Sequence, residues 1–223
     1  MRTLIFALVV ASSASSQVRM RTVRANGDAV LSVPPDLARV SVGIVTNGTS
    51  AQQAAESNAT ISNAVIDQLK QAPGVNGAVR TTSYSLNPVY SSPRDGSLPQ
   101  VIGYSASNTL EVTTLDLAQA GRIIDTAFSA GANRVNGLSF GLRDPNPFQI
   151  EALKRAAGRA REQAQAIVAG LGLNLGQIVA LDEGVVTAPS RGIVASPVDA
   201  STRIEAGLLE VRATVTLEAE IVQ

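Results

Sequence analysis

Four groups of side chains have residue types and spacings that chemistry uses. Gly170, Gly172 and Gly176 look like a dinucleotide loop. Such a loop cradles phosphate only where the glycines follow a strand and open a helix, so that the free helix amides face the anion. These three follow a helical pattern and open a strand, and they read as helix cap and turn. Lys154, Arg155, Arg159 and Arg161 make a basic arc on one helix that would suit an anion. Glu151 and Glu162 interleave with them, Glu151 four residues before Arg155, so a solvated, ion-paired face accounts for the arc. Asp182 and Glu183 are adjacent carboxylates, but neighbours on a strand point to opposite faces and cannot act on one substrate as an acid/base pair. Tyr84, Tyr90 and Tyr104 flank a loop rich in Ser and Pro. An apolar ring with a hydrogen-bonding tip suits a pocket or a subunit contact, although packing within a sheet is its commoner use.

Composition removes most other mechanisms. The 223 residues include no Cys and no His, which excludes disulfides, thiol nucleophiles, Ser-His-Asp triads and nearly all zinc or copper sites. No catalytic, cofactor-binding or metal-ligating residue is assigned, and no cofactor. Lys plus Arg equals Asp plus Glu at 18 each, so no nucleic-acid partner is expected. Aromatic residues are 3% with no Trp, too few for the girdles of a transmembrane barrel. Residues 1–16 read as a secretory signal: Arg2 is the charged start, an apolar run follows from Leu4 to Ala11, and small residues offer cleavage after Ala14 or Ser16. The run is too short to span a bilayer, and no Cys follows it to carry a lipid. The expected location is the periplasm, with no integral membrane segment in the mature chain; outer-membrane association is compatible with this.

The elements that must position these groups are ordered around the last of them. From Leu209 to Ile221 apolar and polar residues alternate without a slip, the signature of a strand with one dry face that a helical layer must cover. Earlier, residues 21–33 are strand-like with a turn dipeptide at Asn26-Gly27, and Val40, Val42 and Ile44 mark the next strand. Ser50 and Gln53 form a capping box for a helix with an inward stripe of Ala54, Ile61, Val65 and Leu69. Residues 79–90 form a strand broken at Pro88, residues 91–99 a loop, and Tyr104, Ala106, Leu110 and Val112 one face of the returning strand. A shorter helix carries Ile123, Ile124, Ala127 and Phe128 on its apolar side and ends at Gly131. Leu138, Phe140 and Leu142 face inward on the following strand. A long helix then begins with Asn146 as cap, Pro147 and Gln149, and its expected buried stripe is Ile150, Leu153, Ala157, Ala160, Ala164, Ile167 and Leu171. Strand 178–183 and a loop over 185–202 precede the final strand.

Both halves share one order: strand, long helix, strand, loop, long strand. The expected fold is α+β, two βαββ units whose antiparallel sheets are covered on one face by long helices. The signal is 1–16, the first unit with its N-terminal strand 17–114, the connecting helix 115–134 and the second unit 135–223.

Pro35-Asp36-Leu37-Ala38, the run from Arg80 through Tyr84 and Pro88 to Tyr90, Gly103-Tyr104, Gly131-Ala132-Asn133, Phe140, Glu151-Ala152, Ala160-Arg161 and Leu171-Gly172-Leu173 resemble the SIMPL-domain family across the mature chain. Bacterial members include periplasmic immunogenic proteins and proteins linked to oxidative-stress defence. Gln163 stands where the family often has Lys. The resemblance implies large ring-like or channel-like homo-oligomers and carries no catalytic motif. The resulting expectation is an exported envelope protein that acts by self-assembly and binding, in oxidative-stress protection, with contacts through sheet edges and hairpin loops. Two other readings stand beside it: a periplasmic small-ligand carrier, and a hydrolase using carboxylate or Ser/Thr groups in a closed pocket.

Overall fold

Unbroken alternation makes the first strand, β1 (Thr22–Val33), with Val23, Ala25, Gly27, Ala29, Leu31 and Val33 buried. The computed structural model of the chain describes residues 21–75, 79–93, 97–184, 191–193 (backbone only) and 206–223. The segment read as a secretory signal lies outside the described residues. Asn26-Gly27, expected as a turn, is ordinary strand inside β1. Gly27 serves a helix instead: a Cβ there would collide with the carbonyl oxygen of Ala156 and the amide nitrogen of Ala160. Asn26, on the opposite face, accepts a hydrogen bond from Thr216 Oγ1 at 2.9 Å.

The chain continues through β2 (Leu37–Gly48), α1 (Ala51–Gln71), β3 (Arg80–Tyr90) and β4 (Val101–Thr114). A single 3-10 turn (Leu117–Gln119) leads into α2 (Ala120–Ser129), followed by β5 (Arg134–Gly141) and α3 (Asn146–Gly170). The last elements are β6 (Asn174–Glu183), the short β7 (Arg191–Ile193) and β8 (Leu209–Val222). Two antiparallel sheets result, with orders β1-β8-β6 and β3-β4-β2-β5-β7. α3 covers one face of the first and α1 with α2 one face of the second, each closing its own apolar core. This is the expected α+β fold.

The sheets nevertheless cross the expected unit boundaries. β1, expected with residues 17–114, pairs along its length with β8, from Thr22 opposite Glu220 to Val33 opposite Leu209. β5, expected to open the second unit, lies beside β2 with Phe140 opposite Ala38. Leu142, expected inward with Leu138 and Phe140, packs instead on the core under α3. Periodicity states which face of a strand is dry, and either partner satisfies that demand, so pairing was not encoded in it. Of the expected loop over 185–202, residues 191–193 form β7 beside β5; the remainder lies outside the described residues.

Asp36 ties the two crossings together. Its amide donates to Gly141 O at 3.2 Å, and its carboxylate accepts from the Arg143 amide at 2.6 Å. A hydrogen bond to a charged group contributes about 1.5–3 kcal/mol and less where, as at Asp36, the group is exposed, so Asp36→Ala should lower the unfolding free energy measured in urea by about 1 kcal/mol. Asp36→Asn, which keeps an acceptor, should lose less; an Asp36→Ala protein as stable as wild type would show that the carboxylate is not what holds the crossing.

Both long helices depart locally from expectation. Ser50 accepts from the Gln53 amide at 3.2 Å, but Gln53 Oε1 accepts from the Thr49 amide and hydroxyl at 3.0 and 2.9 Å rather than from Ser50. Asn146 does not cap α3; the Asp144 carboxylate accepts from the Asn146 amide at 3.0 Å. The buried row of α3 is Ala152, Ala156, Ala160, Ala164 and Val168, and only Ala160 and Ala164 belong to the expected stripe. Alanines at a spacing of four let the helix backbone reach Gly27, where larger side chains would hold it off. Ile150, Ile167 and Leu171 are left exposed, so the sheet does not consume every apolar residue of this helix. Phe128 of α2 is likewise exposed.

Candidate interaction surface

β3 is the edge of the five-stranded sheet, and all of its residues are exposed. The cause is placement: α1 packs chiefly on β2 and β4, and β3 lies past its flank. Pro88, expected to break the strand, remains within it opposite Tyr104. An edge strand tolerates proline because one side of it has no ladder to supply with donors. The pairing with β4 is interrupted by bulges at Thr82 and at Val89/Tyr90.

Tyr84 and Tyr90 therefore do not pack within the sheet. Tyr84 is 53% and Tyr90 55% exposed, and Leu86 and Val89 stand open beside them. The apolar surface continues at the hairpin end, where Ile102 is 63% and Leu98 85% exposed. Half-buried Tyr104 lines a cleft of about 430 Å³ with Val89, Ile102 and Gln53. The other sheet repeats the theme on its edge strand β6, where Ile178, Val179 and Leu181 are exposed. Exposed apolar side chains on a sheet edge are what association sites present.

Beneath α1, beside β3, runs a polar relay. Asn58 is wholly buried and its Nδ2 donates to the carbonyls of Ile44 and Ala106, at 3.0 and 3.2 Å. Ser62 Oγ donates to Asn58 Oδ1 at 3.2 Å and accepts from Asn108 Nδ2 at 3.0 Å. Asn108 Oδ1 is buried without a partner. A buried acceptor left unmade costs about 1–3 kcal/mol. By polarity alone Asn58 reads as a water-facing residue of α1, but it sits with Ser62, four residues on, in the buried row of that helix, where apolar residues are the rule.

The other weighed groups stay apart. Gly172 takes the left-handed conformation (φ +71°), and Leu173 N donates to Val168 O at 3.0 Å, closing the end of α3 as a cap. Arg155 meets Glu151 at 2.8 Å, and Arg159 Nη1 donates to Asp28 O at 2.7 Å, both on the surface; pairs of this kind contribute little stability. Lys154 and Arg161 are exposed on the same helix. Asp182 lies opposite Thr216 and Glu183 opposite Val215, so the two carboxylates do point to opposite faces. Among the described residues no group of three or more acidic side chains is placed to hold a metal ion, and no helix is long and apolar enough to cross a membrane.

Residues 23–219 match the family model SIMPL, described as a protein of unknown function (DUF541). The chain belongs to the SIMPL family. This SIMPL chain is similar to the 26 kDa periplasmic immunogenic protein of Brucella melitensis, 28% identical over 160 residues that cover 70% of this chain and 64% of that protein. The uncharacterized protein YggE of Edwardsiella ictaluri is 26% identical over 156 residues, 69% of this chain and 64% of the relative. YggE of Escherichia coli is 34% identical over 76 residues, 34% of this chain and 31% of the relative. The SIMPL chain thus spans just under two thirds of the first relatives it matches.

Proposed function

We propose that this SIMPL chain is an exported protein of the cell envelope that works by self-assembly and binding, with β3 and its hairpin as the contact. The observation that carries the reading is a β3 edge exposed on both faces and bearing Tyr84, Leu86 and Tyr90. Pairing with a second copy would satisfy its free amides and carbonyls and cover those side chains together. Pro88 cannot donate, which limits continuous pairing to the part of β3 before it. The printed name of the Brucella relative and the reading of residues 1–16 support a periplasmic location. Oxidative-stress protection is the physiological setting that the family resemblance adds.

Sedimentation velocity of the exported protein at micromolar concentration tests the assembly, and a multiple of the chain mass is expected. Leu86→Lys and a deletion of residues 91–99 should each lower the native mass while leaving helical content nearly unchanged. A wild-type monomer, or full assembly in both variants, sinks the proposal.

A further inference from the structure

We propose that the groove between α1 and β3, about 460 Å³ in volume, binds primary ammonium groups carried on an alkyl chain. The inference goes beyond self-assembly and does not rest on it. Its foundation is the direction of the polar relay. Asn58 spends both Nδ2 hydrogens on two backbone carbonyls, which can only accept. Its Oδ1 must therefore receive the single hydroxyl hydrogen of Ser62, and Ser62 Oγ in turn accepts from Asn108 Nδ2. The backbone thus dictates that the relay ends on Asn108 Oδ1, an unpartnered acceptor buried just behind the wall that Asn108 gives the groove. Whatever binds there has to donate.

The rest of the lining selects the charge. Glu56 lines the groove, and no Lys or Arg does. Tyr84 stands directly across the strand pair from Asn108, where a ring face attracts a cation. Ala55, Ala59 and Ile66 supply apolar wall for a methylene chain. Glu56 and Ser62 are six residues apart on α1, about 9 Å along the helix axis. A five-carbon diamine can place one ammonium at each end of that span, whereas a lysine side chain fills one end only.

Calorimetric titration of the full chain uses 1,5-diaminopentane, pentylamine, Nα-acetyl-lysine methylamide and pentane-1,5-diol as probes. The diamine should bind, the two monoamines should bind at least about tenfold more weakly, and the diol should give no heat. Asn108→Ala and Glu56→Gln should each weaken the diamine about tenfold or more. Ser62→Ala should do the same, because Asn108 loses the acceptor that fixes its amide and is then free to turn and present a donor. A lysine derivative binding as tightly as the diamine would support the ammonium site and make a peptide lysine its source. The proposal is overturned by absence of heat from every amine up to about 10 mM, by equal affinity for the diol, or by binding that survives both Asn108→Ala and Glu56→Gln in protein with wild-type circular dichroism.

Discussion

Gly27→Ala is expected to cost about 3 kcal/mol or more and to strip α3 from the three-stranded sheet. The added Cβ collides with the carbonyl oxygen of Ala156 and the amide nitrogen of Ala160 and comes within 3.0 Å of Ala160 Cα. All three are backbone atoms, so no rotamer change relieves them. The helix must lift, and the alanine row then loses its close fit. Ala152, Ala156, Ala160 and Ala164 each offer a single methyl group, which holds a helix to a sheet only at the shortest separation. A second glycine supplies the control. Gly158 lies on the same helix, and a Cβ there meets nothing within 4 Å. Gly158→Ala should therefore stabilise by about 0.5–1 kcal/mol through helix propensity alone. Urea unfolding followed by far-ultraviolet circular dichroism should give shifts of opposite sign for the same chemical change. If Gly27→Ala unfolds within about 0.5 kcal/mol of wild type, the close contact does not organise this layer.

The same pair of glycines shows what could be read in the sequence and what could not. Strand β8 was legible because its alternation is complete, and the buried residues Leu209, Val211, Ala213, Val215, Leu217 and Ala219 are the ones the period requires. Gly27 was misread because Asn-Gly is a strong local turn signal, while its actual cause lies more than a hundred residues away in α3. The α3 stripe failed for a related reason. Hydrophobicity ranks Ile150, Ile167 and Leu171 above alanine, but the sheet surface selected the smallest side chains. The order of elements was legible in both halves, whereas the exchange of β1 and β5 between sheets was not, because two strands of equal polarity pattern compete for one place. The tyrosines were noticed for their type and position, yet their exposure depends on how far α1 reaches across the sheet. That is a property of packing, which no local pattern states.

The largest pH effect is expected from Asn58→Asp. Asn58 is fully buried and holds the carbonyls of Ile44 on β2 and Ala106 on β4 through its two Nδ2 hydrogens. A protonated carboxyl at this position could still donate to one carbonyl and accept from Ser62, so in acid the variant should lose only about 1–2 kcal/mol. An ionised carboxylate there has no donor to offer, faces two carbonyl oxygens and sits out of water. Burial and that repulsion raise the folded-state pKa of the introduced group above its unfolded value near 4. The sign follows from proton counting: between the two pKa values the folded chain holds a proton that the unfolded chain has released. The pH-dependent part of the stability is then fully present below the unfolded pKa and is lost as pH rises towards the folded-state pKa, by about 1.4 kcal/mol for each unit of the shift. A buried carboxyl shifted by about three units loses roughly 4 kcal/mol near neutrality. Asn58→Ala removes the same two hydrogen bonds and opens a cavity, yet introduces no titrating group, so its deficit should be constant over the same range. Urea unfolding of the three chains from acid to neutral pH separates these behaviours. A deficit for Asn58→Asp that stays flat, or shrinks as pH rises, would mean that the Asn58 site admits water and that the relay is not sealed beneath α1.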